Sequence, residues 1–122
     1  MNEILTPKDL EIFLDKIRNS TEQYNISFSK VGDYDKQKCD YEHAIEFEKN
    51  YRERNKINTR YHKMLNDRRD AKDMVAVCED VYNWSEQNKA IINNLNKFLG
   101  TMRKKENLLQ NRTYRKRAKD GD

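Results

Sequence analysis

Two histidines and their acidic neighbours are the first candidates for metal chemistry. Asp40 and His43 are three residues apart. That spacing places a carboxylate and an imidazole on one helical face and occurs in metal sites of helical bundles. Such a site needs a second, facing set of ligands, but His62 has Thr59 at the equivalent spacing. We therefore interpret both histidines as parts of solvated helix faces and predict no metal site.

The candidate nucleophiles lack the neighbours that would activate them. Cys39 and Cys78 form no Cys-x-x-Cys motif, and neither stands at a predicted helix start that would activate a thiolate. Their separation, without a signal-peptide pattern, predicts no disulfide framework. The four serines lack a nucleophile-elbow context, and no Gly-rich phosphate loop is present. We therefore predict no enzyme activity and no cofactor.

Clustered positive charge is the strongest candidate binding feature. Residues 52–72 include eight basic and three acidic residues, which gives a net charge of +5 over 21 residues. They are Arg52, Arg54, Lys56, Arg60, Lys63, Arg68, Arg69 and Lys72. Tyr51 and Tyr61 are interleaved with them, as in segments that bind nucleic acid through phosphate contacts. The alternative is a solvated helix exterior, balanced by the acidic first part of the chain.

A second basic cluster lies near the C-terminus. It contains Arg112, Tyr114, Arg115, Lys116 and Arg117, preceded by Arg103, Lys104 and Lys105. We expect residues 115–122 to be disordered. This tail is suited to binding RNA or DNA around the tyrosine, or to docking on an acidic protein surface. A merely solubilising role is the third possibility.

The elements that must carry these residues are long helices. No glycine or proline occurs in the 67 residues between Gly32 and Gly100. Apolar residues make up 35% and charged residues 38%, which is too little for a thick core but enough for narrow apolar seams between helices. Residues 1–50 carry a net charge of −4, and residues 51–122 carry +8.

The first predicted helix spans residues 7–31. Thr6 is its expected N-cap, with Pro7 at the first helical position and Asp9 reaching back to the cap. Gly32 is the expected C-cap. A middle helix is then predicted over residues 33–85, either continuous or broken near residues 66–67.

A turn at residues 83–88, with Ser85 as a possible N-cap, precedes the third helix. The cleanest apolar stripe of the chain follows, with Gly100 inside it; it consists of Ile91, Ile92, Leu95, Phe98, Leu99, Met102 and Leu109. We expect Leu95 and Leu99 to be buried near Val75, Cys78 and Tyr82. Ile57 stands alone among polar residues, and we expect it at the surface.

Together these patterns predict an all-α fold of extended, coiled-coil-like helical hairpins. A long central helix is backed by two shorter ones, helix 1 on its first half and helix 3 on its second. We expect one helical domain over residues 1–110 and a basic tail over residues 111–122. Such thin packing favours self-association, so a homodimer is possible.

Two short motifs carry a resemblance to a known group of proteins. The segment 65–73 (Leu-Asn-Asp-Arg-Arg-Asp-Ala-Lys-Asp) and the segment 111–114 (Asn-Arg-Thr-Tyr) resemble elements of small, uncharacterised helical proteins from phages and prophages of low-GC Gram-positive bacteria. The resemblance implies a phage accessory protein and assigns no activity. By analogy, such proteins often occlude a host machine, including CRISPR nucleases.

Three functional hypotheses follow. The first is a non-enzymatic, phage-type protein that engages and modulates a host or phage protein complex. The second is a protein that binds RNA or DNA through the basic residues of 52–72 and the tail. The third is a structural coiled-coil scaffold. No apolar run reaches the ~18 residues of a membrane span, so we expect no membrane partner and a location in the host cytoplasm.

Overall fold

A computed structural model of the chain describes residues 3–112, and these residues form three α-helices without a strand. They are α1 (Pro7–Phe47), α2 (Tyr51–Gln87) and α3 (Lys89–Gln110). The predicted all-α fold, in which a long helix packs against two others, is confirmed. The contacts form two units, one containing residues 1–15 and 89–122 and the other residues 16–88. The long helix α1 contributes to both units.

The first helix does not end at Gly32, so that prediction is wrong. α1 continues through Gly32 for 15 further residues, and the glycine is exposed with no positive backbone angle. A glycine inside a helix costs about 1 kcal/mol relative to alanine. Because half-buried residues recur beyond it at Tyr34, Lys38, Tyr41 and Ile45, packing of the following turns outweighs this cost.

The chain turns instead at residues 48–50, where neither predicted form of the 33–85 helix has a break. The Asn50 side chain accepts hydrogen bonds from the backbone N–H groups of Arg52 (2.9 Å) and Glu53 (3.2 Å) and so caps α2. The Arg54 guanidinium donates two hydrogen bonds to the Glu48 carbonyl oxygen, at 3.1 and 2.8 Å, and so satisfies the end of α1. Of the two alternatives left open at residues 66–67, the unbroken helix is correct there, because α2 spans these residues.

In residues 16–88, α1 and α2 pack as an antiparallel pair. Three cross-helix contacts show this direction, because the partner's number falls as the α1 number rises: Tyr24–Tyr82, Asp35–Arg68 and Glu42–Tyr61. Every core position of a heptad repeat is buried or half-buried on α1, and on α2 from residue 57 onward. On α2, position a holds residues 61, 68, 75 and 82, and position d holds residues 57, 64, 71, 78 and 85.

The core between α1 and α2 combines small residues with tyrosines. Ser27 of α1 and Ala71, Cys78 and Ser85 of α2 are buried, as is Met64. The predicted core position of Cys78 is thus confirmed. Small residues let the helices approach closely, and larger side chains fill the remaining space; the rings of Tyr24 and Tyr82 stack at 4.1 Å. Ile57 is half-buried at a d position, so its predicted surface location is wrong.

In the other unit, the start of α1 is capped as predicted. The Asp9 carboxylate accepts hydrogen bonds from the Thr6 N–H (3.1 Å) and hydroxyl (2.8 Å), and the Asp9 N–H donates to the Thr6 hydroxyl (3.2 Å). The backbone and side-chain bonds from Thr6 hold the pKa of Asp9 below its ordinary value of 3.8. Leu10 and Leu14 follow as the buried apolar residues of this unit.

The third helix differs from the prediction in its start and its packing. Ser85 lies buried inside α2 rather than capping α3, and Asn88 is the C-cap of α2. α3 groups with residues 1–15 and contains no buried residue. Leu95 and Leu99 are only half-buried, so their predicted burial against the second half of the middle helix is wrong. The helix continues through Gly100, as predicted.

The close approach of α1 and α2 predicts that Ala71→Leu destabilises the protein. Three extra carbon atoms at a buried d position force the helices apart and typically cost about 1–3 kcal/mol. Urea unfolding followed by circular dichroism measures the loss. The matched control is Ala76→Leu on the exposed side of α2, which we expect to change stability by about 0.5 kcal/mol or less. Equal losses from the two variants would contradict the heptad register.

Candidate binding surface of the second helix

All eight basic residues of the 52–72 block lie on α2, but they do not form one face. With the core at positions a and d, the heptad places them on three sides of the helix. Arg54 and Arg68 fall in the a row, towards α1. Positions c, f and g, on one outer side, hold Arg52, Lys56, Arg60 and Lys63. Arg69 at position b and Lys72 at position e lie on the opposite flank.

The two arginines of the a row have structural partners. Arg54 binds the carbonyl at the end of α1, as described above. Arg68 donates a 2.7 Å hydrogen bond from Nε to the Asp35 carboxylate, and 26% of its side chain is exposed. These contacts connect α2 to α1, so neither guanidinium is presented to a partner in the way the sequence suggested.

Arg52, Lys56, Arg60 and Lys63 form what we call the outer basic group. Its charge is partly neutralised by acidic residues of the same helix. Lys56 is 3.3 Å from Glu53, and Lys63 is 3.7 Å from Asp67. Arg52 and Arg60 are exposed and have no ionic partner within residues 3–112. Over roughly 16 Å of helix, this group therefore offers two unpaired cations and two weakly paired ones.

The opposite flank of α2 contains a surface depression of about 370 Å³. Arg69, Lys72 and His62 line it together with Leu65, Asn66, Arg68 and Asp73. All these residues belong to one helix, so no second element encloses the space. A small molecule bound there would remain largely in water.

A second outer surface was missed by the sequence analysis. It continues the c, f and g side of α2 beyond the outer basic group, and we call it the Trp84 face. Its residues are Asp70, Asp73, Met74, Val77, Asp80 and Trp84, all of them exposed. Val77 is 74% exposed and Trp84 40%. Apolar anchors and three carboxylates thus alternate over roughly 21 Å of helix.

The sequence contains a signal for this surface. Met74, Val77 and Trp84 are three and seven residues apart, which is a second heptad stripe beside the core stripe of Val75, Cys78 and Tyr82. The two stripes can be told apart only when the packing partner of α2 is known. Trp84 falls within the predicted turn at residues 83–88, so its stripe was not recognised from the sequence.

The tyrosines of the 34–61 region act mainly in the core. Tyr34, Tyr41 and Tyr61 are half-buried, and the rings of Tyr41 and Tyr61 lie 5.8 Å apart. The Tyr61 hydroxyl donates a 3.0 Å hydrogen bond to Glu42 across the pair. Desolvation, followed by this bond and the Glu42 charge, raises the pKa of Tyr61 above its ordinary value of 10.0. Only Tyr51, at the start of α2, is strongly exposed.

The residues considered for metal or thiol chemistry are not brought together. His43 stacks on Phe47 at 6.4 Å. Within residues 3–112, no three His, Cys, Asp or Glu side chains are placed to hold one metal ion. Cys39 is an exposed free thiol, and Cys78 is a buried one.

The C-terminal candidates lie largely outside the described residues. The residues outside the described range include the candidates Tyr114, Arg115, Lys116 and Arg117. The tail of residues 115–122, which we expect to be disordered, also lies outside it. Arg112 is the last described residue and is exposed. Arg103, on α3, forms an ion pair with Glu11 of α1.

No protein-family model matches the chain, and neither a curated protein nor a solved structure shows significant similarity to it. Within residues 3–112, none of the helices is both long and apolar enough to cross a membrane.

Because the basic residues of the 52–72 block lie on different sides of α2, we predict different stability effects for substitutions of Arg68 and Arg60. Arg68→Ala removes the cross-helix bond to Asp35 and leaves that carboxylate unpaired, so we expect a loss of about 1 kcal/mol of unfolding free energy. Arg60→Ala, at an exposed position, should change it by about 0.5 kcal/mol or less. Urea unfolding of both variants measures the difference, and a larger loss for Arg60→Ala would contradict the assignment.

Proposed function

We propose that this chain is a non-enzymatic binding protein that engages a protein complex through the Trp84 face. The observation that carries the proposal is the exposure of Val77 (74%) and Trp84 (40%) on an outer side of α2, away from its a and d positions. Tryptophan is the residue type most enriched among interface hot spots. A row of apolar anchors at helical spacing is how an amphipathic helix occupies a groove on a partner.

The charge of this face defines the chemistry of the partner. Asp73 and Asp80 flank the apolar anchors on one side and Asp70 precedes them, so the complementary surface is an apolar groove with lysines and arginines along that edge. Proteins that handle DNA or RNA carry such clustered basic residues. An acidic helix docked there would exclude the nucleic acid, and this supports a phage-type inhibitor of a nucleic-acid-handling host enzyme, such as a CRISPR nuclease, in the host cytoplasm.

Direct binding of nucleic acid through α2 is the less favoured function. A duplex lying along the outer side of α2 would contact the basic group at residues 52–63 and then meet Asp70, Asp73 and Asp80 on the same side. Because phosphates and carboxylates repel each other, favourable contact is limited to one end of the helix. Arg52 and Arg60 are the unpaired cations available there.

The test compares two aromatic residues of the same unit. Host proteins captured by the wild-type chain are identified, and the affinity of the purified partner is then measured for Trp84→Ala and for Phe47→Ala, an exposed aromatic on α1. Removal of a hot-spot tryptophan costs about 2 kcal/mol or more, which is a loss of roughly 30-fold. The control should bind like the wild type, and circular dichroism verifies that both variants remain helical.

Two results would contradict the proposal. One is unchanged partner affinity of Trp84→Ala. The other is a mobility shift of labelled DNA or RNA at about 50 mM salt that Arg52→Ala and Arg60→Ala abolish. That second result would establish the nucleic-acid function instead.

A further inference from the structure

The unit formed by residues 1–15 and 89–122 exposes more large hydrophobic side chains for its size than the other unit does. Its 37 described residues include eight large hydrophobic side chains that are 41–71% exposed. The 73 residues of the other unit include seven. The eight are Ile4, Leu5, Ile12, Phe13, Ile91, Phe98, Leu108 and Leu109. Exposed large hydrophobic side chains are therefore about twice as frequent per residue in this unit.

The incomplete packing is concentrated on α3. Ile92, Leu95, Leu99 and Met102 are half-buried, while Ile91, Phe98 and Leu109 form an adjacent row that is exposed. These three residues are spaced by 7 and 11, so they share one side of the helix. α3 is amphipathic, yet it contains no buried residue in a single copy of the chain.

The exposed area suits a protein interface of ordinary size. A large hydrophobic side chain offers on the order of 200 Å², so at their exposed fractions Ile91, Phe98 and Leu109 together present on the order of 300 Å² of apolar surface on one side of α3. A standard interface covers about 800 Å² on each partner, and its fully buried core is the more apolar part of it. This row can form such a core, and one further copy of the same surface is enough to cover it.

The charges of this unit identify that copy as the occupant. Residues 3–15 carry a net charge of −3, and residues 89–112 carry +5. Lys97, Lys104 and Lys105 have no ionic partner within residues 3–112. The ion pair between Glu11 and Arg103 shows that the two segments attract each other within one copy. A surface that is acidic on one helix and basic on the next is complementary to itself when rotated by a two-fold axis.

We propose that two copies of the chain associate through this unit into a symmetric four-helix bundle. The first turns of α1 in one copy lie against α3 of the other, and the exposed row of Ile91, Phe98 and Leu109 becomes part of the bundle core. Two short, two-helix units that are each marginal alone thereby share one core. The Trp84 face belongs to the other unit, so dimerisation and partner binding can be lost separately.

Sedimentation equilibrium of the full chain tests this arrangement. The wild type should be a dimer, with a dissociation constant on the order of 1 μM or tighter, as the area allows. Ile91→Glu/Phe98→Glu places four carboxylates in the shared core and should give a monomer. Phe47→Glu adds a charge at a more exposed aromatic outside the unit (74% against 46% for Phe98) and should leave the dimer intact.

A second variant keeps the test valid if the core substitutions disturb α3. Lys104→Glu/Lys105→Glu changes only exposed charges and should weaken the dimer at least tenfold, with helicity unchanged by circular dichroism. A wild-type chain that sediments as a monomer at roughly 100 μM, or that forms open-ended oligomers, would overturn the proposal. So would an Ile91→Glu/Phe98→Glu variant that remains dimeric.

Discussion

The antiparallel packing of α1 on α2 is the constraint on which the other features of this structure depend. Small residues at Ser27, Ala71, Cys78 and Ser85 hold the helices close, and tyrosines fill the spaces between them. This packing fixes which side of α2 faces inward. The orientation of α2 about its own axis then determines that Val77 and Trp84 face outward and that Arg68 faces α1.

A core made by two helices is narrow, and its narrowness explains the exposed apolar residues. Each helix can bury only the stripe that faces its partner, so any second stripe remains in water. Within residues 3–112 we identify two such stripes, one on α2 and one on α3. They differ in charge: carboxylates accompany the first, whereas lysines accompany the second and acidic residues lie on the helix beside it. This difference is why we assign the first to a foreign, basic partner and the second to another copy.

Several features could be predicted from the sequence because they depend on local chemistry. The all-helical fold followed from the missing glycines and prolines, and the Thr6–Asp9 cap from its own four residues. The turn at residues 48–50 could not be predicted in this way. It contains no glycine or proline, and its cap, Asn50, resembles the asparagines at 55 and 58 that lie inside α2. At Gly32 the error was the opposite one, because the sequence predicted a helix end where none exists. A glycine ends a helix only where the tertiary packing also ends.

The binding surfaces could be predicted only in part, for a related reason. A basic block in sequence becomes a basic face only if its residues share one side of the helix, and that side depends on the register with α1. Arg54 and Arg68 belong to a basic block that resembles a binding site in sequence, but in the structure they contact α1. The apolar residues of the Trp84 face have the heptad spacing of a core stripe, but in the structure they are exposed.

The position of the turn between α1 and α2 is the central claim, and one distance tests it directly. Spin labels at the native, exposed Cys39 and at Asn66→Cys, in a Cys78→Ala background, would be measured by pulsed electron paramagnetic resonance. Packed helices lie 8–10 Å apart, and both labels point away from the seam, so the antiparallel pair predicts labels separated by roughly 20–30 Å once their tethers are included. A single helix through residues 33–85 would place them roughly 40 Å apart, from the helical rise alone, and that distance would contradict the account.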